Sequence, residues 1–546
     1  MLPELPIKNT YSGNSYLATV MRSRIILAVV FFSSLAIRYH EYYTFREFNS
    51  DKARQLHGAY ELMQGRGVSF VSYNLNTFQP LVKPIIDWPP VYSYMAAGIS
   101  YVTHTNLYTA SVVADVLCLL ALWLTLLWLS QLLAFNTIQK VLLFVFLGLS
   151  KTLIGSIYSA DLIGSTLFLF ACCVNIRYTQ EPDKQRRGAF FALQFCLIAI
   201  MVFFKYSLFP AAASLGISLF TYGSAAKNKR FRTAAFYLLA LFIASIGLLL
   251  LRNSLISGYS TMYTERSMGD GRWHFGNLLL FNPFIMSSFF YLQPLYQRMN
   301  WQIVNAITVP CSIAIFGWII WDAGKRMINK KADYYDHLCL ITILAVTGFI
   351  ALLSIRYPRA ISNGIHWTYV MEFRYFAPAC FLVIIYFFKN FKIRGNRNFR
   401  SLLLSSFVAA SVAVTVLLSA YYWVIDNKAS SFASLYGKVV KAADYATAQK
   451  GNNTYFVSLS NNMLQDAQIT SLAAIQGVKV VVNYYGYFPD STFNVLFARD
   501  AVIAPGKKVL VYIGQNTAVL NRINPRNHYR IEKDADDGAQ FLIIEN

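Results

Sequence analysis

Long apolar runs separated by short polar segments fill most of residues 1–425. A helix that crosses a membrane needs about 20 mostly apolar residues, and these runs have roughly that length. The pattern therefore predicts about eleven membrane-spanning helices, which we place near residues 22–39, 108–133, 138–157, 161–178, 188–204, 207–223, 233–251, 301–321, 337–355, 374–389 and 401–424.

Three longer segments stand between or after the apolar runs, at residues 40–107, 252–300 and 426–546. Ordered segments of this length commonly carry function. Within the first, residues 53–65 have a helical pattern. Residues 88–101 are apolar but too short to cross a membrane, so we expect them to form a helix in the membrane interface.

The tail alternates helix-like and strand-like runs. We predict helices at 436–449, 468–476 and 517–523 and strands at 454–459, 478–483, 508–513 and 539–544. Such alternation is typical of a small α/β domain. The predicted organisation is a transmembrane domain at residues 1–425, with outer loops 40–107 and 252–300, followed by an extracytoplasmic α/β domain at residues 426–546.

The composition agrees with a polytopic membrane protein. Of the 546 residues, 56% are hydrophobic and 14% are charged, whereas a soluble protein has about 25% charged residues. Disorder is excluded by the same numbers.

The net charge of +22 comes largely from clusters in short loops between the apolar runs. The clusters are Lys184, Arg186 and Arg187; Lys227, Lys229, Arg230 and Arg232; Lys325, Arg326, Lys330 and Lys331; and Lys389, Lys392, Arg394, Arg397 and Arg400. Because short loops rich in Lys and Arg stay in the cytoplasm, the clusters indicate orientation and not nucleic-acid binding. We predict a multi-pass protein of the cell (inner) membrane with a cytoplasmic N-terminus and an extracytoplasmic C-terminus.

Four ionisable residues fall at the predicted outer ends of the spans: Asp51, Asp87, Asp161 and Lys205. Ionisable groups near hydrocarbon are costly and are candidates for function. A carboxylate can accept a proton from a nucleophile, and a cation can hold a departing phosphate. A structural interpretation stays open beside this one, in which the aspartates cap helices and Lys205 extends toward the lipid headgroups.

The order of the short motifs resembles the GT-C membrane glycosyltransferases, in the branch of the protein O-mannosyltransferases and the lipid A aminoarabinose transferase. The resemblance spans roughly residues 22–425. It rests on Asp51 followed by a helical pattern, Asp87-Trp88-Pro89-Pro90-Val91-Tyr92, Asp161, Lys205, and Arg374-Tyr375-Phe376-Ala377-Pro378. Two positions depart from the family pattern: Tyr206 follows the lysine where Gly is common, and Trp88 precedes Pro-Pro where Lys or a small residue is common.

The resemblance implies a polyprenyl-phosphate sugar as donor and a lipid, glycan or protein as acceptor. By position, Asp51 would be the general base, Asp161 would assist catalysis, and Lys205 would bind the lipid-linked phosphate. Further candidate substrate contacts are Trp88, Tyr92, Arg252, Arg266, Arg374 and Tyr375. The aromatic residues and the two arginines of the second outer loop could equally serve as interfacial anchors.

Asp87 takes the place of an acidic residue that helps to hold a metal ion in the aminoarabinose branch. The nearby candidate partner is His274, in Arg272-Trp273-His274. The sequence requires no other cofactor, and it leaves open whether a divalent metal ion binds.

The sequence thus favours a glycosyltransferase that moves a hexosyl or pentosyl group, with inversion, at the outer face of the membrane. Two alternatives stay open. One is a lipid or glycan transporter or flippase without bond chemistry, for which inverted repeats and broken helices would be expected. The other is a non-enzymatic scaffold whose tail binds a partner.

Overall fold

We analysed a computed structural model of the chain. It describes residues 13–45, 50–150, 159–261, 272–280, 289–290, 300–356, 360–362, 365–367, 373–391, 399–426, 431–460, 462–482, 492–533 and 539–545.

The described part is mainly helical. The α-helices are α1 (Gly13–Phe45), α2 (Ser50–Met63), α3 (Val91–Thr103), α4 (Leu107–Leu132), α5 (Thr137–Leu149), α6 (Ala160–Gln180), α7 (Lys184–Phe204), α8 (Phe209–Ala225), α9 (Lys229–Ser257), α10 (Trp301–Ile328), α11 (Tyr334–Ser354), α12 (Phe373–Asn390), α13 (Phe399–Asp426), α14 (Ser431–Ala448) and α15 (Met463–Ile475). The strands are β1 (Ser69–Tyr73), β2 (Pro80–Pro84), β3 (Ala360–Ser362), β4 (Ile365–Trp367), β5 (Thr454–Ser458), β6 (Lys479–Val481), β7 (Lys508–Gly514), β8 (Tyr529–Lys533) and β9 (Gln540–Glu545). Short 3₁₀ helices occur at Tyr206–Leu208, Phe275–Leu280, Asn494–Leu496 and Thr517–Arg522.

Within the described residues, 9 helices are long and apolar enough to cross a membrane, and each coincides with a predicted span. The other two predicted spans correspond to α5 and α12. Helix α5 is apolar but has only 13 residues, and the rest of the predicted span, 151–158, lies outside the described residues. Helix α12 has 18 residues and is buried almost throughout. The prediction of a polytopic helical membrane protein is confirmed.

The first outer loop folds into α2, a β-hairpin and α3. Strands β1 and β2 pair antiparallel, with Val71 opposite Val82. Helix α2 packs on β1 and α3, and α3 packs on α4. The sequence predicted both helices but not the hairpin, because β2 is short, contains two prolines and is partly exposed.

The tail forms one five-stranded sheet in the order β6-β5-β7-β9-β8. Strand β5 runs parallel to β6 and β7, whereas β9 runs antiparallel to β7 and to β8. The predicted small α/β domain is therefore confirmed, and all seven predicted tail elements have counterparts. Strand β8 was missed because its side chains are mostly exposed and it contains no continuous apolar run.

The hairpin of the first outer loop packs into the tail. Leu75 is fully buried with Tyr455, Val457 and other tail residues in one hydrophobic cluster. Its backbone N–H donates to Thr492 O over 2.7 Å. Helix α15 of the tail also packs along α2, so the tail and α2 lie on the same side of the helical part.

Candidate active site

Asp51 sits in the first turn of α2, where a carboxylate is favoured by the helix dipole. Its Oδ1 accepts a hydrogen bond from Arg54 Nη2 at 2.7 Å, three residues further along the same helix. Its Oδ2 accepts one from Arg374 Nη1, also at 2.7 Å. Arg374 belongs to the first turn of α12, so this contact joins two distant parts of the chain.

A second carboxylate lies beside this pair. Asp161, in the first turn of α6, forms an ion pair with Lys205 through its Oδ1. Lys205 lies in extended backbone directly after α7. Arg374 Nη1 is 3.7 Å from Asp161 Oδ2, so Arg374 bridges the two carboxylates.

Tyr375 covers one side of this group of charges. Lys205 Nζ lies 5.3 Å from the centre of its ring, and the Arg374 guanidinium lies 5.1 Å from it. A cation is attracted to the face of an aromatic ring at these distances. The ring therefore holds two cations in place without neutralising them.

We call Asp51, Arg54, Asp161, Lys205 and Arg374 the charge cluster. It contains three cations and two carboxylates, so one positive charge is in excess. All five side chains are mostly buried, and Asp51 is the most exposed at 19%. A partly buried site with excess positive charge and guanidinium groups suits an anion such as a phosphate.

The surrounding charges set the protonation of Asp51. Burial alone would raise the pKa of its carboxyl group, but Arg374, Arg54 and Lys205 outweigh burial and lower the pKa to about 2. Asp51 is therefore ionised at neutral pH, and both of its oxygens are engaged by guanidinium groups.

A second buried ion pair lies next to the charge cluster. Lys52 Nζ donates to Asp115 Oδ2 at 2.7 Å, which links α2 to α4. Ser159, directly before α6, donates to the same oxygen at 3.4 Å. Ser159 has φ +49°, which is unusual for a residue with a side chain. Such strain is often found near functional sites, here two residues before Asp161.

Sequence reasoning missed Arg54, Lys52 and Asp115 as members of this region. Asp115 gave a usable signal, because it is the one acidic residue in the apolar run 107–132 and a buried carboxylate in a span is a candidate by default. Arg54 and Lys52 gave no such signal, because basic residues are common in polar loops.

The other predicted substrate contacts lie around the charge cluster. Trp88 is half-buried, and the Arg54 guanidinium lies 4.5 Å from its ring centre. Tyr92 is fully buried, with its ring 6.4 Å from that of Phe204. A substrate could therefore reach Tyr92 only if neighbouring groups moved, and the interfacial position expected for this ring does not fit its burial.

Arg252 lies at the end of α9, where its Nη1 donates to Asn253 Oδ1 at 3.0 Å. Asn253 donates to the Tyr206 hydroxyl group, which in turn donates to Ile86 O, both at 2.8 Å. Arg252 thus joins a network that reaches the residue before Asp87. Arg266 lies outside the described residues.

The predicted metal residues occupy two different loops. Asp87 is buried between β2 and α3. His274 precedes the 3₁₀ helix Phe275–Leu280, and its backbone N–H donates to Ile355 O. Among the residues that the structure describes, no group of three or more His, Cys, Asp or Glu side chains could hold a metal ion. The metal site stays a prediction.

The fold was compared with those of known proteins. One similar solved structure is ArnT from Cupriavidus metallidurans bound to undecaprenyl phosphate, with a TM-score of 0.48 and 11% identity over 96% of this chain and 98% of that one. The Archaeoglobus fulgidus oligosaccharyltransferase in complex with Zn and sulfate has a TM-score of 0.49 and 10% identity, over 94% and 72% of the two chains. Archaeal AglB from the same organism, in complex with an inhibitory peptide and a dolichol-phosphate, has a TM-score of 0.47 and 10% identity, over 95% of this chain and 74% of that one.

ArnT is a lipid A aminoarabinose transferase. No protein-family model matches the chain, and no curated protein sequence matches it.

Proposed function

We propose that the protein is a glycosyltransferase that moves a sugar from a polyprenyl-phosphate-linked donor to an acceptor hydroxyl group, with Asp51 as the general base. The observation that carries this proposal is the charge cluster, in which side chains from α2, α6, α12 and the end of α7 converge on one partly buried point. Such a cluster offers both a carboxylate base and cations for a leaving phosphate.

The donor itself prepares the base in this proposal. In the free protein Asp51 is a weak base, because two arginines hold its oxygens and its pKa is about 2. The donor phosphate competes with the carboxylates for Arg374 and Lys205. When Arg374 turns to the phosphate, Asp51 Oδ2 is released and the pKa of Asp51 rises.

The transfer then follows in one displacement. The acceptor hydroxyl group gives its proton to Asp51, and its oxygen forms a bond to the anomeric carbon of the sugar. The bond from that carbon to the phosphate oxygen breaks, and the polyprenyl phosphate leaves with the electron pair. Arg374 and Lys205 stabilise the charge on the phosphate, and attack from the opposite side inverts the anomeric centre.

Asp161 has a positioning role in this scheme. It pairs with Lys205 and lies near Arg374, so it keeps both cations at the site before the donor arrives. Tyr375 restrains the same two cations through its ring.

We place the reaction at the extracytoplasmic face of the inner membrane. Lys205 follows the last residue of α7, whereas Lys184, Arg186 and Arg187 lie at the other end of that helix. The positive-inside rule puts such a basic cluster in the cytoplasm, and the charge cluster would then face outward, at a side without nucleotide-activated sugars.

The function is tested by mass spectrometry of lipids and glycans from cells of the source organism that lack the gene and carry a plasmid copy. The wild-type gene should restore a glycosylated species, and Asp51→Asn should not. Asp500→Asn is the matched control, because Asp500 is exposed in the tail. If Asp51→Asn restores the species fully, the proposal is wrong. If instead a sugar-linked lipid crosses the membrane intact, the transporter alternative replaces it.

A further inference from the structure

A cavity of about 460 Å³ opens in the tail, far along the chain from the charge cluster. Small-molecule sites commonly have volumes of about 300–1,000 Å³, and this cavity falls in that range. Its polar lining includes Ser460, Gln465, Tyr512, Gln515, Asn516 and Thr517.

The cavity lies at the point where the strand order of the sheet reverses. Strand β5 comes first in the chain, the next strand β6 lies on one side of it, and β7 lies on the other. Ser460 follows the carboxyl end of β5, and residues 515–517 follow the carboxyl end of β7. In open α/β sheets, ligands bind in the crevice outside the carboxyl ends of the strands at such a switch point.

Hydrogen bonds fix the loop after β5 at the cavity wall. The Asp466 Oδ1 atom accepts from Ser458 Oγ at 2.5 Å, from Ser460 N at 3.0 Å and from Ser460 Oγ at 2.7 Å. Asn516 Nδ2 donates to Leu459 O at 3.0 Å, which ties the loop after β7 to the loop after β5. The two walls are thus held together before any ligand binds, which lowers the cost of binding.

The end of β7 is shaped by a bulge. The register with β9 shifts between Tyr512 and Gly514, and Gly514 has φ +57°, a conformation that glycine adopts without strain. A Cβ atom at this position would lie 3.4 Å from the Tyr512 hydroxyl group. Bulges of this kind re-aim side chains beside binding sites.

The lining has the chemistry of a carbohydrate site. Amide side chains at 465, 515 and 516 and hydroxyl groups at 512 and 517 can each donate and accept hydrogen bonds, and the Ser460 hydroxyl group, which donates to Asp466, can accept. Sugar hydroxyl groups also donate and accept hydrogen bonds, whereas a nucleoside diphosphate would need several cations around its phosphate groups. Lys438 is the one charged side chain among the lining residues that the structure describes.

We propose that this cavity binds a carbohydrate of one or two units, either neutral or with a single carboxylate that Lys438 would pair. This site goes beyond the proposed transfer reaction, because its lining residues are separate from the charge cluster. The carbohydrate would bind without being cleaved.

The test is saturation-transfer NMR on the full chain in lipid nanodiscs. The probes are D-glucose, D-galactose, N-acetyl-D-glucosamine, L-arabinose and D-galacturonic acid, with inorganic phosphate and AMP as probes that are not carbohydrates. At least one of the five sugars should bind saturably.

Two variants locate the binding. Ala518 is exposed and lines the cavity, so Ala518→Trp should fill it and weaken sugar binding at least tenfold. Ala498→Trp is the matched control, since Ala498 is exposed and is not among the lining residues. Gln515→Ala should weaken binding at least threefold, and the exposed Gln79→Ala should leave it unchanged.

The same titration in Asp51→Asn separates this proposal from the transfer reaction, because cavity binding should survive there even when transfer is lost. The proposal is overturned if none of the five sugars binds, or if Ala518→Trp leaves sugar binding intact. It is also overturned if phosphate or AMP binds and is the probe that Ala518→Trp displaces.

Discussion

Arg374 connects the members of the charge cluster. Its guanidinium group contacts Asp51, lies near Asp161 and packs against the ring of Tyr375. A lysine there would keep the charge but lose the planar guanidinium group, whose Nη1 contacts Asp51 and lies near Asp161 while its Nη2 donates to the Tyr375 hydroxyl group. The identity of the side chain, and not only its charge, is therefore part of the site.

We expect Arg374→Lys to weaken the binding of undecaprenyl phosphate by at least tenfold, because a hydrogen bond to a charged group contributes about 1.5–3 kcal/mol. Microscale thermophoresis on the purified protein measures this. Arg356→Lys is the control, because Arg356 lies over Trp273, outside the charge cluster. Equal affinities in the wild type and Arg374→Lys would show that the phosphate does not use this guanidinium.

The lowered pKa of Asp51 predicts how the stability of the protein depends on pH. Since the pKa in the folded protein, about 2, lies below the ordinary value of 3.8, ionised Asp51 stabilises the fold at pH values above 4. That stabilisation is lost as the pH falls through about 2. The difference in melting temperature between the wild type and Asp51→Asn should be constant from pH 7 to pH 5 and should shrink below pH 4. A difference that stays constant down to pH 2 would mean that the pKa of Asp51 is ordinary, and one that already changes between pH 7 and pH 5 would mean that it is raised.

Sequence reasoning found Asp51, Asp161, Lys205, Arg374 and Tyr375, and the structure brings these five together. Asp51, Asp161 and Lys205 were noticed as ionisable residues at the predicted outer ends of the spans, whereas Arg374 and Tyr375 came from the motif that resembles the GT-C family. It missed the pairing of Lys52 with Asp115, because the partners are 63 positions apart and the contact depends on how α2 folds onto α4.

At the scale of elements, α2 is held over the membrane helices by that buried pair. Lys52 and Asp115 are 3% and 2% exposed, so the removal of one partner leaves a charge without compensation. The same helix carries Asp51, so its position controls the geometry of the charge cluster.

We expect Lys52→Met to destabilise the fold by about 3–5 kcal/mol, because it leaves Asp115 buried and unpaired. Adding Asp115→Leu should recover most of the loss, since the buried charge is then gone. Thermal unfolding in detergent of the two single variants and the double variant measures this. If the losses of the single variants simply add in the double variant, the two residues do not act as a pair.

The hairpin of β1 and β2 couples the first outer loop to the tail through Leu75. We expect Leu75→Ala to cost about 2–5 kcal/mol, as for other large-to-small changes in a core. Hydrogen exchange in β5 and β7 should become faster. Val82→Ala on the same hairpin should leave this exchange unchanged, because Val82 is 51% exposed. Unchanged exchange in Leu75→Ala would show that the hairpin does not support the tail.

The sequence predicted the tail elements better than their arrangement. Short, nearly continuous apolar runs marked β5, β7 and β9. No local pattern shows that β7 lies beside β5 or that Leu75 from the outer loop completes the tail core. The switch-point cavity follows from that strand order, so it could not be foreseen from the sequence.

At the scale of the whole molecule, the helical part and the tail meet on the side where the charge cluster lies. Helix α15 begins beside the tail cavity and packs along α2, which carries Asp51. The charge cluster and the tail cavity therefore lie toward the same side of the helical part.

In the proposed reaction, Asp51 removes the proton of the acceptor hydroxyl group during sugar transfer. The most direct measurement uses the protein reconstituted in liposomes with lipid-linked sugars and acceptors extracted from the source membrane. The release of free polyprenyl phosphate is followed by mass spectrometry. A general base contributes about 10²–10⁴-fold to the rate, so Asp51→Asn should slow the release by at least a hundredfold while Asp500→Asn should not. Release at the wild-type rate in Asp51→Asn would show that Asp51 is not the base.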